Sequence, residues 1–74
     1  MKKILVTSAG GAPATNFIRS LHDANEKFYL VGADADQYLL MRSEADKNYL
    51  IPKASDKNYL EKLNAIIKKE QKFW

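Results

Sequence analysis

KKILVTSAGGAPATNFI, residues 2–18, carries the decisive order of the chain. An apolar run, Ile4-Leu5-Val6, ends in Thr7 and gives way at once to small residues, Ser8-Ala9-Gly10-Gly11-Ala12-Pro13-Ala14. Helical spacing then sets in with Phe17, Ile18 and Leu21. Strand, glycine turn and helix in this order open a Rossmann-like α/β unit. The turn stands at the C-terminal end of a parallel strand, where open α/β sheets take their ligands.

Working outward, the first strand is read as Lys3–Thr7, apolar without clean alternation, as in a strand covered on both faces. The first helix begins at Pro13 or Ala14, because proline fits a first helical turn. Its buried stripe is Ala14, Phe17, Ile18 and Leu21, and Asp23–Glu26 ends it. A second strand, Phe28–Ala33, is rich in aromatic and branched residues and stops at Asp34-Ala35-Asp36. Gln37–Ser43 is a short helix with Leu39, Leu40 and Met41 partly packed. A third strand, Tyr49–Ile51, is halted by Pro52. Ser55 is the expected N-cap of a last helix, Asp56–Gln71, with Leu60, Leu63, Ile66 and Ile67 inward and Lys57, Glu61, Lys68 and Lys69 mainly outward. The pentapeptide DKNYL occurs at 46–50 and again at 56–60, entering a strand in the first copy and a helix in the second. It is too short to be a structural repeat, since solenoid periods begin near ~20 residues.

The order β-α-β-α-β-α predicts an α/β fold, a three-layer Rossmann-like half unit with a parallel sheet ordered 3-2-1. In a complete doubly wound sheet a fourth strand pairs with the free side of strand 1. The chain reaches Phe73-Trp74 where that strand begins, which leaves strand 1 as an apolar edge. Natural sheets rarely leave such an edge bare. The expectation is therefore a single domain, residues 1–74, that forms part of a longer enzyme, or else an edge covered by a second molecule.

At 74 residues the chain has room for one small domain, which buries only about 60% of its unfolded surface. No apolar run approaches the roughly 18 residues of a membrane span, and Ile4–Val6 is too short for a signal-peptide core. With no cysteine, disulfides and thiolate metal sites are excluded. A cytoplasmic location is the default expectation. The net charge of +3 arises wholly in residues 53–74, where six lysines meet three acids. Arginine is scarce there and no aromatic residue alternates with the lysines, so a solvated helix face is expected, with no nucleic acid and no membrane partner.

Glycines in a dinucleotide turn permit the tight bend, the approach of the pyrophosphate, and close helix–strand packing. Laid on T-G-x-x-G-x-x-G, this chain supplies Thr7 and Gly11 but has Ser8 and Ala14 at the other glycine positions. Asp34, at the end of strand 2, stands where a ribose-binding acid belongs. Two readings stay open: Gly10 and Gly11 make only a turn, or Ser8, Gly10, Gly11 and Ala12, with Asp34, contact an anion or nucleotide.

Taken in order, TSAGGAPATNFIRSL, DAD, ADKNYLIPKAS and YLEKL resemble the N-terminal domain of ATP-grasp enzymes, and are most like carbamoyl-phosphate-synthase large-chain-like proteins. That family opens with ILVTGAGGAPG…IRSL, follows strand 2 with paired aspartates, and joins VPKASD into the next helix. The counterparts here are Ile4–Thr7, Gly10–Pro13, Ile18–Leu21, Asp34 and Asp36, Ala45-Asp46, and Ile51–Asp56. Ser8 and Ala14 replace the family's usual glycines. The resemblance implies a non-catalytic pre-ATP-grasp domain. In the parent enzyme, ATP and magnesium convert a carboxylate to an acyl phosphate that a nucleophile attacks. The ATP site lies in the domains that follow, which are then this chain's partners. No cofactor is expected in the chain itself.

Two other functions compete: an NAD(P)-binding Rossmann module, carried by Thr7, Gly11 and Asp34, and a stand-alone protein that dimerises through the strand 1 edge. Of the remaining polar residues, His22, Arg19 and Arg42 read as surface groups, and the four tyrosines as core margins with solvated hydroxyls. Asp34 and Asp36 read as a polar turn that caps the next segment, with magnesium binding as the alternative.

Overall fold

A computed structural model describes residues 1–73. Its elements are β1 (Lys2–Thr7), α1 (Ala12–His22), β2 (Phe28–Asp34), α2 (Gln37–Leu40), β3 (Lys47–Leu50) and α3 (Tyr59–Glu70). The three strands form one parallel sheet ordered β1-β2-β3, with Ile4 opposite Leu30 and Ala33 opposite Tyr49. This is the α/β half unit expected from the strand–turn–helix opening.

Side-chain alternation divides the core in two. Ile4 and Val6 of β1, with Phe28 and Leu30 of β2, pack with Ala9, Ala14, Ile18 and Leu21 on the α1 face. Leu5, Tyr29, Val31 and Ala33 point the other way, towards Ile66, Tyr59, Ile51 and Phe73 on the α3 face. Burial on both faces explains why β1 and β2 read as nearly continuous apolar runs. Ile18, Leu30 and Val31 are fully buried, each worth roughly 1.5–3 kcal/mol of transfer free energy.

Several boundaries and faces differ from expectation. β3 begins two residues early, at Lys47, and Ile51 is buried just past its end, where its N–H still donates to the Asp34 carbonyl at 3.0 Å. Asp46 prepares that pairing: its N–H donates to the Leu30 carbonyl, and its carboxylate accepts the Leu30 N–H at 2.7 Å. Ser55 does not cap α3. Asn58 is the N-cap, without a side-chain bond, while Asp56 accepts from the Asn58 N–H and folds 53–58 into turns. The competing Asx turn delays the helix to Tyr59.

Phe17, Leu60 and Ile67, expected inward, are 48%, 66% and 40% exposed, and Met41 is 78% exposed. The inward stripe of α3 is Tyr59, Leu63, Ile66 and Glu70. Tyr49 also departs from its solvated reading, since its hydroxyl donates to the Glu70 carboxylate.

After α3 the chain reverses through Gln71 and Lys72, both at positive φ, and Phe73 makes a parallel bridge with Lys3. Lys3 already pairs with Tyr29 of β2, so Phe73 lies on the other side of β1. That is where a fourth strand was expected to begin. Among the described residues, no helix is long and apolar enough to cross a membrane.

Candidate functional site

The glycine turn sits above the C-terminal ends of β1 and β2. Ser8 turns the chain with a φ of 53°, a left-handed conformation that glycine adopts more readily. Ala9, fully buried, donates its N–H to the Ala33 carbonyl at 3.1 Å and so carries the β1–β2 pairing past Thr7. The Gly11 N–H closes the bend on the Ser8 carbonyl at 3.0 Å.

Gly10 is held from two sides. Its N–H donates to Asp34 Oδ2 at 3.1 Å, and a Cβ at this position would lie 1.8 Å from the Leu39 carbonyl oxygen. The missing side chain at Gly10 therefore serves the approach of α2's backbone. Gly11 is different: it has an extended φ of −77°, and a Cβ there would meet nothing closer than 3.4 Å. Gly32 on β2 has a packing role like that of Gly10, with Asn48, Ala9 and Ala45 crowded around the space a side chain would take.

Asp34 is 7% exposed and both its oxygens are engaged. Oδ2 holds Gly10 and Oδ1 accepts the Asp36 N–H at 3.0 Å. Asp36 in turn caps α2, its Oδ1 accepting from the Tyr38 and Leu39 N–H groups at 2.9 and 3.2 Å. The two aspartates thus link turn, strand and short helix in one chain of charge-assisted hydrogen bonds. The expected capping role of the aspartate pair is what the geometry shows.

At the start of α1, Gly11 is the N-cap without a side-chain bond, and Pro13 has no N–H to offer. Thr15 caps back onto the Gly11 carbonyl with both its N–H and its hydroxyl. Beside this terminus, a groove of about 460 Å³ separates α1 from α2 and is lined by Gly10–Ala12, Arg19 and Arg42. Arg19 faces Glu44 in a two-pronged ion pair, Nη2 to Oε2 at 2.7 Å and Nε to Oε1 at 3.1 Å. The pair raises the guanidinium pKa and lowers that of Glu44, chiefly through the shared hydrogen bonds. Arg19 keeps its expected surface position. His22 is also exposed at the surface, its Nε2 4.0 Å from Asp46.

A second polar cluster, which no local sequence pattern announces, lies on the α3 face of the sheet. Tyr49 of β3 and Lys3 of β1 converge on Glu70 at the end of α3. Lys3 Nζ donates to the Glu70 carbonyl at 2.5 Å and so satisfies one of the last carbonyls of the helix. It also stands 5.5 Å from the Tyr29 ring and 5.9 Å from that of Phe73. The hydrogen bond to Glu70 is the main cause that pushes the Tyr49 hydroxyl up to about 12, and it holds the Glu70 carboxyl below the usual range. This cluster ties the first strand to the last helix and to the chain's return towards β1.

Among the described residues, no three His, Cys, Asp or Glu side chains gather to hold a metal ion. No curated protein and no solved structure matches the chain. A family model described as "PylC-like, N-terminal domain" matches residues 4–72. The match runs from β1 through the glycine turn, the aspartate pair and all of α3. The chain belongs to the PylC-like N-terminal domain family, the domain that precedes the ATP-grasp domains of ATP-grasp enzymes.

Proposed function

We propose that this chain is the non-catalytic N-terminal domain of an ATP-dependent carboxylate ligase, and that it braces the ATP-grasp domains without binding nucleotide itself. The observation that carries the reading is the occupied turn. A phosphate needs converging free N–H groups at a strand–helix turn. Here the Gly10 N–H is spent on Asp34 and that of Gly11 on Ser8, and Pro13 supplies none. A carboxylate already stands at the turn and repels a second anion. That leaves the Ala12 and Ala14 N–H groups beside a buried carboxylate, a poor fit to a phosphate, so no step of ATP or magnesium chemistry is assigned to these residues.

The same geometry weighs against an NAD(P) module. A ribose-binding acid must present free oxygens to solvent, whereas Asp34 is buried with both of its oxygens bonded inside the protein. In the parent enzyme the chemistry is the activation of a carboxylate as an acyl phosphate, which a nucleophile then attacks. The carbamoyl-phosphate-synthase-like order of the motifs supports that reaction class and names no substrate.

The test mixes the 74-residue chain with the ATP-grasp domains of a PylC-like ligase lacking its own N-terminal domain, and follows ADP release with magnesium and substrates. The chain alone releases no ADP, and its addition raises turnover by the truncated enzyme. ADP release by the chain alone, or no effect on the truncated enzyme, would overturn the reading.

A further inference from the structure

α3 ends in a backbone geometry that its residues do not favour. Gln71, the C-cap, has φ 54° and ψ 164°, a region that belongs essentially to glycine, and Lys72 follows at φ 58°. Side chains other than glycine hold such angles only where the surroundings impose them. The helix supplies one bond here, from the Gln71 N–H to the Ile67 carbonyl at 2.9 Å.

The rest of the hold comes from β1 and β3. Lys3 Nζ donates to the Glu70 carbonyl, which immediately precedes Gln71, at 2.5 Å, and stands 3.6 Å from Glu70 Oε1. The Tyr49 hydroxyl donates to the other carboxylate oxygen. The Glu70 side chain is 10% exposed, so water competes little for these bonds. Beyond the strained pair, Phe73 bridges to Lys3 and its ring joins the α3-side core. One lysine therefore holds the carbonyl before the two left-handed residues and the residue after them.

Titratable groups from each neighbouring element surround Glu70. β1 contributes Lys3, and β2 contributes Tyr29, whose ring lies 5.5 Å from Lys3 Nζ. β3 contributes Tyr49 and Lys47, and α3 itself contributes Lys69; the two ammonium groups stand 5.7 and 5.6 Å from the Tyr49 ring. Met1 and Lys72 line the same hollow of about 370 Å³ beside Lys3, Tyr29 and Glu70. The Glu70 carboxylate faces cations and hydroxyl donors, so its charge is what draws this group of side chains together.

We propose that Lys3 and Glu70 form a latch that keeps residues 71–73 seated against β1 despite the strain in their backbone, and that discharging Glu70 releases this segment as a unit while the sheet and the body of α3 stay folded. Tyr49 first, then Lys3 and Lys47, hold the Glu70 carboxyl below its usual range. The latch is therefore closed at neutral pH and opens as pH falls through that lowered value. Release is a local opening, of the kind that precedes global unfolding wherever a segment carries strain and few contacts. The latch stands independently of the ligase reading.

The experiment follows the labelled full chain by NMR. The closed latch gives nuclear Overhauser contacts between Phe73 and position 3, and the short intraresidue amide–Hα distances that positive φ produces at Gln71 and Lys72. At neutral pH, Lys3→Met and Glu70→Gln are each expected to weaken both signals and to speed amide exchange at residues 71–73 by about tenfold or more, with Leu30 and Val31 unchanged. Gln71→Gly removes the strain and is expected to restore the Phe73 contacts in the Lys3→Met background, a rescue that a lysine acting through packing alone would not show. In the wild-type chain the Phe73 contacts are lost with the titration of the Glu70 carboxyl and before the far-ultraviolet circular dichroism changes. Gln71→Gly alone moves that release to lower pH. Contacts that persist in both latch variants, or release that coincides with global unfolding, overturn the proposal. Should a latch variant fail to fold, the acid titrations decide: a release that Gln71→Gly leaves unmoved also overturns it.

Discussion

Gly10→Ala is the sharpest perturbation of the turn. The added methyl would stand 1.8 Å from the Leu39 carbonyl oxygen, 2.2 Å from its carbon and 2.8 Å from its Cβ. Ordinary contacts are near ~3.5 Å, so α2 or the turn must retreat by about 1.7 Å. The obstacle is backbone, which no rotamer change can clear. Overpacking of this kind costs about 1–3 kcal/mol. The retreat also pulls Gly10 from Asp34, and a buried acceptor without its donor costs about 1–3 kcal/mol more. The sum, roughly 2–6 kcal/mol, is a large share of the stability of a domain this size, which is on the order of 4–11 kcal/mol. Urea unfolding followed by far-ultraviolet circular dichroism reads the change. With a slope near ~1 kcal/mol per molar urea, the midpoint falls by about 2 M or more, or the variant fails to fold. Gly11→Ala is the internal control, because a Cβ there finds ordinary contacts at 3.4 and 3.9 Å. It should cost less than about 1 kcal/mol as an N-cap change. A Gly10→Ala chain as stable as wild type, or equal losses at both glycines, would refute the packing role assigned to Gly10.

Ser8→Gly relieves a left-handed residue and should stabilise the chain by up to ~1 kcal/mol, the strain released being partly offset by backbone entropy; an unchanged or lower urea midpoint contradicts this. Asp34→Asn retains one acceptor but turns an amide against an N–H, and should cost about 1–3 kcal/mol; a neutral effect would mean that the brace is idle. Tyr49, pushed up to about 12, favours folding while its hydroxyl is protonated. Its contribution is complete below the ordinary tyrosine range near ~10 and is lost as pH rises towards its folded value. Glu70, held low, contributes in the opposite sense, with stability lost as pH falls through its folded pKa. Tyr49→Phe should therefore flatten the alkaline fall in stability, and a Phe variant that keeps the wild-type slope between pH 9 and 12 refutes the coupling.

What the sequence disclosed was local. Ile4–Val6, the small-residue turn and Ile18 announced β1, the bend and the buried face of α1, because each is a short-range pattern. The two DKNYL copies took different structures for the reason visible in their neighbours, Ile51-Pro52 after one and Glu61-Lys62-Leu63 after the other. Helical period failed at Phe17, Leu60 and Ile67. It marks an apolar stripe but not where the sheet beneath it ends, and all three residues overhang that limit. Ser55 was outcompeted by Asp56, a contest between two turn-forming side chains that spacing alone leaves undecided. Asp34 was legible as an acid closing a strand, while its burial and its hold on Gly10 depend on how α2 packs back. The Lys3–Glu70–Tyr49 cluster joins residues 67 positions apart and leaves no local signal at all.

The most direct test of the account is a ¹⁵N titration of the full chain with Mg·ATP, NAD and NADP, read at the amides of residues 8–12, Ala14 and Asp34. An occupied, self-braced turn predicts that these resonances stay in place at millimolar nucleotide. Saturable shifts at Gly10, Gly11 and Ala12 would show that a ligand displaces Asp34 from the turn, and would contradict a domain that leaves nucleotide binding to its neighbours.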